Sequence, residues 1–108
     1  MDTLIGRNLL LKRLPRSKDL GDYDWFDIEE SCDQVGKARC RIEGSAITIC
    51  SINIYPEYQR KGYARAVIDH FKHKYLRIVA DRVRYTARDF WMEMGFSEEN
   101  VGDFTWHR

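Results

Sequence analysis

The stretch Gln59-Arg60-Lys61-Gly62-Tyr63-Ala64 carries the clearest chemical potential in this chain, and that chemistry is anion binding. Upstream, Ile47 to Ile54 reads as an apolar strand closed by Pro56. Downstream, Ala64, Val67, Ile68, Phe71 and Tyr75 recur at the i, i+3, i+4, i+7 spacing of an amphipathic helix. A strand that passes through a glycine-bearing basic loop into a helix leaves backbone N–H groups without intrahelical partners. Those donors, with the positive end of the helix dipole, form a place for an anion such as a pyrophosphate. Glycine turns before helices are common, so the string has meaning only through its context.

Other residue types with chemical potential point to less. Cys32, Cys40 and Cys50 are odd in number and lack Cys-x-x-Cys spacing, so neither a disulfide framework nor a zinc knuckle is indicated. Cys40 and Cys50 fall in strand-like stretches, where a thiol is expected to act as a small buried apolar group. His70 and His73 lie three apart on the helix and could share a metal, but no third ligand is apparent and a solvated face is the plainer reading. No metal site is assigned.

Charge is unevenly distributed. Between Asp19 and Gln34 stand seven acidic residues and no basic one. From Arg60 to Arg88 there are nine Lys or Arg against two Asp, a local excess of +7. Such a second half suits a polyanionic ligand, a phosphorylated cofactor or nucleic acid. Lys72, Lys74 and Arg77 fit equally well on a solvated helix exterior.

These residues must be positioned by a single domain, residues 1–108, of a size able to form one core. Apolar content of 44% and charged content of 32% describe a globular chain, neither disordered nor membrane-embedded. No apolar run approaches the roughly 20 residues that span a bilayer, and Met1 to Leu14 lacks a signal-peptide core, so a cytoplasmic location is the default expectation.

Leu9-Leu10-Leu11 suggests a first strand, followed by a polar connector from Pro15 to Gly21. Trp25 to Glu30 reads as a strand, with Asp33-Gln34-Val35-Gly36 as a turn. Ala38, Cys40 and Ile42 alternate with Arg39, Arg41 and Glu43, the period of a half-buried strand. After a tight turn at Glu43-Gly44-Ser45 comes Ile47 to Ile54, apolar on both faces in places, as at a sheet centre. An antiparallel meander of three strands follows. Leu76 to Ala80 is a short apolar run, either a strand or a continuation of the helix. Thr86-Ala87-Arg88-Asp89 has a helix-capping pattern, Ala87, Phe90, Trp91 and Met94 form a second helical stripe, and Gly95 fits its C-terminal cap. Phe104-Thr105-Trp106 reads as a last strand. The layout is α+β, with helices packed on a mainly antiparallel central sheet.

Two separated segments resemble one family. Ile52-Asn53-Ile54-Tyr55-Pro56-Glu57-Tyr58 leading into Gln59 to Ala64 is similar to the acetyl-CoA signature of the GCN5-related N-acetyltransferases (GNAT): strand, Pro-containing loop, then Gln/Arg-x-x-Gly-x-Gly/Ala opening a helix. About 30 residues on, Ala87-x-x-Phe90-Trp91-x-x-x-Gly95-Phe96 looks like the family's second cofactor motif. The likeness runs from about Trp25 to the C-terminus and implies a GNAT-like fold that binds acetyl-CoA. It implies that main-chain N–H groups around Arg60 to Arg65 wrap the CoA pyrophosphate, with Gln59, Arg60, Lys61, Gly62, Tyr63, Ala64 and Arg65 forming the cradle. Gly62 would allow close backbone approach where a side chain would intrude. It further implies that Ile52, Asn53 and Ile54 pair with the pantetheine arm, with the Ile54 N–H polarising the thioester carbonyl. Phe90 and Trp91 would lie beside the thiol end, although core packing accounts for them equally.

The chain departs from the family pattern in two ways. GNAT enzymes generally use a base, often a Glu or a water chain, and many use a Tyr on the second helix as acid. That Tyr position falls at Trp91, whose indole is no useful proton donor, and the strand Glu of some members falls near Thr48. Tyr85 is the nearest substitute and the candidate catalytic acid; Glu57 fits a solvated carboxylate. Arg84 replaces an Asn that often precedes the second helix and is a potential phosphate partner. Second, about ten residues, Pro15 to Asp24, stand where members usually place two helices of the acceptor site. The acceptor side is therefore expected to be open or completed by a second subunit in a homodimer. An open cleft suits an amine exposed on a protein or peptide, and the acidic stretch from Asp19 to Asp33 could attract a cationic one.

Three functions compete on these grounds. The leading one is N-acetyl transfer from acetyl-CoA to a primary amine; the alternative is a non-catalytic CoA-binding or partner-binding module on the same fold. The third is a nucleic-acid-binding domain in which Tyr63, Tyr75 and Tyr85 stack on bases, and it is disfavoured because these aromatics lie at core-like helical spacing.

Overall fold

Period-two burial builds most of the molecule. The computed structural model describes residues 2–5, 8–15 and 21–108. Strands β1 (Asp2–Leu4), β2 (Leu9–Arg13), β3 (Asp24–Glu30), β4 (Asp33–Glu43) and β5 (Ala46–Ile54) form an antiparallel meander, longer than the three strands expected. Leu9, Leu11, Phe26, Ile28, Ala38, Cys40, Ile47 and Ile49 all point into the core, and their strand neighbours are more exposed. Helix α1 (Tyr63–Lys74) crosses over to β6 (Arg77–Ala80), which pairs parallel with β5. After α2 (Arg88–Glu93), β7 (Ser97–Asn100) and β8 (Asp103–His107) complete the sheet in the order β1-β2-β3-β4-β5-β6-β8-β7. This is one mixed, mostly antiparallel sheet with two helices, the α+β arrangement expected.

Helix α1 buries Val67, Ile68 and Phe71, and the Phe71 ring meets Phe26 and Tyr75 edge-on at 5.9 and 5.8 Å. Its last turn carries Lys72, His73 and Lys74, which suit the negative end of the helix dipole. Helix α2 lies beside α1: Arg65 and Glu93 are 3.6 Å apart, and the Lys72 ammonium donates to the Met94 carbonyl. The end of α2 is closed by Gly95 at φ +90, with Gly95 N–H donating to Met92 O and Phe96 N–H to Trp91 O. That is a Schellman cap, as Gly95 led one to expect.

Two expectations about boundaries were wrong. The turn after β3 is Ser31-Cys32, both at positive φ, and Asp33 to Gly36 already belong to β4. Ile28 pairs with Gly36 and Glu29 with Gln34, so Val35 is an inserted residue, a β-bulge that lets Val35 and Gly36 both be buried. Thr86 does not cap α2: it lies within a 3-10 turn, Tyr85–Ala87, and no side-chain cap bond is present at the helix start. The run Leu76 to Ala80 resolves as the strand Arg77–Ala80, and β1 and β7 were not foreseen. Of the expected connector, residues 16–20 lie outside the described residues, as does Asp19. No helix among the described residues is long and apolar enough to cross a membrane.

Candidate active site

The site is set by where β5 stops pairing with β6. The parallel ladder runs from Ala46 opposite Arg77 to Ile49 opposite Ala80, and its last link is Asp81 N–H to Ile49 O at 3.0 Å. Beyond it β5 continues to Ile54 while the chain after β6 turns away. On the other side, Arg39 pairs with Ser51 and Cys40 with Ile49, so Cys50 is an inserted residue and β5 carries a bulge at the point of divergence. Tyr55 N–H donates to Val35 O at 2.9 Å, on the β4 side. By strand alternation Asn53 also faces β4, whereas the N–H and C=O of Ile52 and Ile54 face the edge that β6 has left. The Ile54 carbonyl is taken by the Gln59 side-chain amide at 2.9 Å, which ties the following loop to the strand.

Two clefts border this edge. The first, about 370 Å³, is lined by Ile54, Tyr58, Phe90 and the loop-helix junction Gln59, Arg60, Gly62 to Arg65. Gly62 is the N-cap of α1 at φ +83, and Ala66 N–H donates to Gly62 O at 3.0 Å as the first helical bond. The preceding N–H groups of the first turn therefore have no intrahelical acceptor. A Cβ built on Gly62 would meet no protein atom within 4 Å. The glycine is required by its left-handed backbone, not by crowding from the protein itself. Arg60 is also left-handed, at φ +64. Lys61 has no acidic partner among the described residues and lies 5.8 Å from the Tyr58 ring.

The second cleft, about 600 Å³, lies where the strands part. Its lining includes Cys50 to Asn53 of β5, Ala80 at the end of β6 and Asp81 to Arg84 after it, Lys37 and Arg39 of β4, Ala87 just before α2 and Trp91 of α2. Asp81 is the single carboxylate among these lining residues. Cys50, expected in the core, is half-buried here because the bulge displaces it from strict alternation. Burial is the main cause holding its thiol pKa above the usual value, and Asp81 adds to the rise while Arg39, Arg41 and Arg82 oppose it. Cys40 behaves as foreseen, buried and with its pKa pushed far up by desolvation.

The expected site residues are thus largely brought together. Ile54, Gln59, Arg60, Gly62, Tyr63, Ala64, Arg65 and Phe90 line the first cleft, and Ile52, Asn53 and Trp91 the second. Lys61 lines neither but stands in the same loop. Trp91 is 5% exposed and packs edge-on against Phe90 and Phe96 at 5.1 and 5.0 Å, so it serves the core as well as the cleft. Tyr85 is 87% exposed and lines neither cleft. Arg84, expected near a phosphate, lines the second cleft instead of the first. None of the described residues from Gly21 to Asp33 lines either cleft; Asp24, for instance, is buried against Arg13 at 2.8 Å and accepts the Ile42 N–H. Tyr75, a supposed base-stacking residue, is 4% exposed in the core. Among the described residues no group of three or more His, Cys, Asp or Glu could hold a metal. Sequence reasoning missed Asp81, Arg39 and Lys37. Asp81 had a signal, since a polar residue just past a parallel strand stands where open α/β sheets bind ligands.

An open strand edge beside a glycine-capped helix fits the cofactor site that the two motifs implied, whereas the bulge was not foreseen. The model of the acetyltransferase (GNAT) family matches residues 8–96. The chain belongs to the GNAT family. Its fold is shared with solved GNAT proteins of low sequence identity. The Bacillus subtilis N-acetyltransferase YlbP, solved in complex with coenzyme A, aligns with a TM-score of 0.71 at 16% identity, over 93% of this chain and 97% of that one. A GNAT family acetyltransferase from Elizabethkingia anophelis with acetyl-CoA bound aligns with a TM-score of 0.61 at 12% identity, over 95% and 100%. The PaiA N-acetyltransferase from Thermoplasma acidophilum, in complex with coenzyme A, gives 0.60 at 18% identity, over 83% and 62%. No curated protein matches the chain in sequence.

Proposed function

We propose that this GNAT chain transfers an acetyl group from acetyl-CoA to a primary amine, with the amine of a protein or peptide entering by the second cleft. The observation that carries this reading is the unpaired edge of β5 beyond Ile49, running into the glycine N-cap of α1. The residues present fit the cofactor. Ile54 can pair with an amide of the pantetheine arm, and the first-turn N–H groups of α1, with Arg60, Lys61 and Arg65, can hold the pyrophosphate. The open space over Gly62 leaves room for that approach.

Bound there, acetyl-CoA supplies an electrophilic thioester carbonyl and a thiolate leaving group. The Ile52 N–H lies on the same edge and borders the second cleft, whereas Ile54 borders the first. We therefore move the donor to the acyl oxygen from Ile54, expected from sequence, to Ile52. Asp81, at the mouth of the split, takes the proton from the attacking amine. The N–C bond forms, the C–S bond breaks, and the leaving thiolate takes a proton from water. No built-in acid is needed, because a thiol with a pKa of about 8.5 is a good leaving group near neutral pH. On this account Tyr85 is dispensable.

Acetyl-CoA titration under thermal unfolding tests cofactor binding, and thiol release with a panel of amines tests transfer. The alternative, a CoA-binding module without catalysis, is favoured by Trp91 standing where an acid is usual. It predicts stabilisation by acetyl-CoA with no thiol release for any amine. Whether a second copy closes the open side is decided by sedimentation with and without cofactor.

A further inference from the structure

The second cleft has a charge character that the acetyl-transfer reading does not require. Lys37, Arg39, Arg82 and Arg84 line it against the single carboxylate of Asp81, four positive charges to one negative. None of the four forms an ion pair with a carboxylate among the described residues. Arg39 is fixed rather than loose: its guanidinium lies over the Tyr23 ring at 4.7 Å, with Arg41 stacked on the same ring at 5.0 Å. Its Nε is buried and has no hydrogen-bond partner, an unusual state for a charged donor. Arg82 is held on a left-handed backbone at φ +53, with its N–H donating to the Asp103 carboxylate at 3.2 Å. The concave wall therefore presents four cations, one of them, Arg39, held in place by ring stacking, and a cleft of one sign concentrates ligands of the other.

We propose that the acceptor amine belongs to a molecule with an anionic group, a carboxylate first of all, close to the reacting nitrogen. This deepens the acetyl-transfer reading and rests on it. It also reverses the cationic acceptor expected from the acidic stretch, whose described residues lie on and beside β3 and not on the cleft. The arrangement assists the chemistry as well as recognition. Surrounding cations disfavour the ammonium form of the bound amine, so more of it is present as the neutral nucleophile. The carboxylate that neutralises the cleft could come from a free amino acid or from an acidic residue beside a peptide amine.

The test compares thiol release from acetyl-CoA for acceptors matched in everything but that charge. The pairs are an α-amino acid with its C-terminal amide, and a peptide carrying Glu beside its N-terminus with the same peptide carrying Gln; spermidine is the cationic reference. Anionic members should react with kcat/KM at least about tenfold higher, a preference that shrinks with added salt. Arg39→Gln and the loop variant Arg84→Gln should each lower that ratio through KM, leaving the stabilisation by acetyl-CoA unchanged. Equal rates within pairs, or faster reaction of spermidine, overturn the proposal. So do variants that weaken acetyl-CoA binding instead, which would assign the cations to the cofactor. If acetyl-CoA stabilises the protein but no acceptor releases thiol, catalysis fails. The charge preference is then read from binding of the N-acetyl amino acid against its amide with CoA present, and equal binding overturns it.

Discussion

Replacing Gly62 by alanine separates the backbone role of this residue from its role toward a ligand. At φ +83 an L-residue is strained, and a left-handed conformation costs about 1–2 kcal/mol. The added Cβ meets no protein atom within 4 Å, so no packing penalty is superimposed. Alanine reduces the freedom of the unfolded chain less than it strains the native turn, leaving a net loss of about 1 kcal/mol. For a domain of this size that is a Tm lower by roughly 4–8 °C. Gly44 provides a matched control, since it also has positive φ, +60, and open space where a Cβ would stand, but it sits in the β4–β5 turn away from both clefts. Gly44→Ala should lose a similar amount of stability. The two variants should part only when acetyl-CoA is added. At about one hundred times Kd the wild-type protein and Gly44→Ala should gain roughly 2.7 kcal/mol. In Gly62→Ala the methyl group occupies the space through which a pyrophosphate reaches the helix N–H groups. A hundredfold weaker Kd would reduce the gain at the same concentration to about 0.4 kcal/mol. Denaturant titrations with and without acetyl-CoA measure all of these quantities. If Gly62→Ala keeps the full ligand-induced gain, the loop does not cradle the pyrophosphate.

Other perturbations follow from the same geometry. Gly36→Ala places a Cβ 2.4 Å from the Asn53 carbonyl oxygen, where β4 crosses close to β5, and should cost about 2–3 kcal/mol in a urea titration; an unchanged midpoint contradicts this packing. Asp81→Asn should lower kcat by about 100-fold or more with the acetyl-CoA-induced Tm shift intact, whereas Tyr85→Phe should stay within about twofold of wild type; the reverse result would return the proton chemistry to Tyr85. Burial, then Lys74 and His73, hold the His70 pKa below its usual 6.5, so the folded state resists protonation that the unfolded state accepts. Stability should therefore be level above about pH 7 and fall as pH drops through 6.5 towards the lowered folded value, and His70→Gln should flatten that decline.

Much of the frame was legible in the residues because it depends on local periodicity. The alternation of Ala38, Cys40 and Ile42, the helical stripe from Ala64 to Tyr75, and the stop at Gly95 are each decided within a few residues of one another. The glycine loop was legible for a related reason, since a left-handed N-cap ahead of a helix favours glycine at a fixed offset. What escaped depends on registers between strands. The bulges at Val35 and Cys50 leave no mark in composition, and the second takes Cys50 out of the core. Strands β1 and β7 were missed because Asp2–Leu4 is short and Ser97–Asn100 is exposed along its whole length, so neither has an apolar period to read. The acidic stretch misled because its charges were counted along the chain. In the fold, Asp24 turns inward to Arg13 and Asp27 meets Gln34, and neither borders a cleft.

The bulge at Cys50 links these findings to function. Without the extra residue, β5 would keep one alternation along its length, and the edge facing β6 would need a partner strand to satisfy its amides. The inserted residue sits where the parallel partner of β5 ends at Ala80, beyond which the Ile52 backbone and the Ile54 N–H face the open edge while the Ile54 carbonyl is taken by Gln59. An unpaired edge between two strands is unfavourable in an apo protein unless water or a ligand with amides of its own completes it. The same residue displaces Cys50 and Ser51 into the second cleft, facing Arg39, Asp81 and Arg82. On the proposed reading, one insertion thus serves both the edge on which a pantetheine arm would pair and the wall that an acceptor would meet. Removing it, by deleting Cys50, should close the ladder beyond Ile49 and abolish acetyl-CoA stabilisation while the helices and the rest of the sheet persist in circular dichroism. A deletion variant that still binds acetyl-CoA would show that the open edge has another origin.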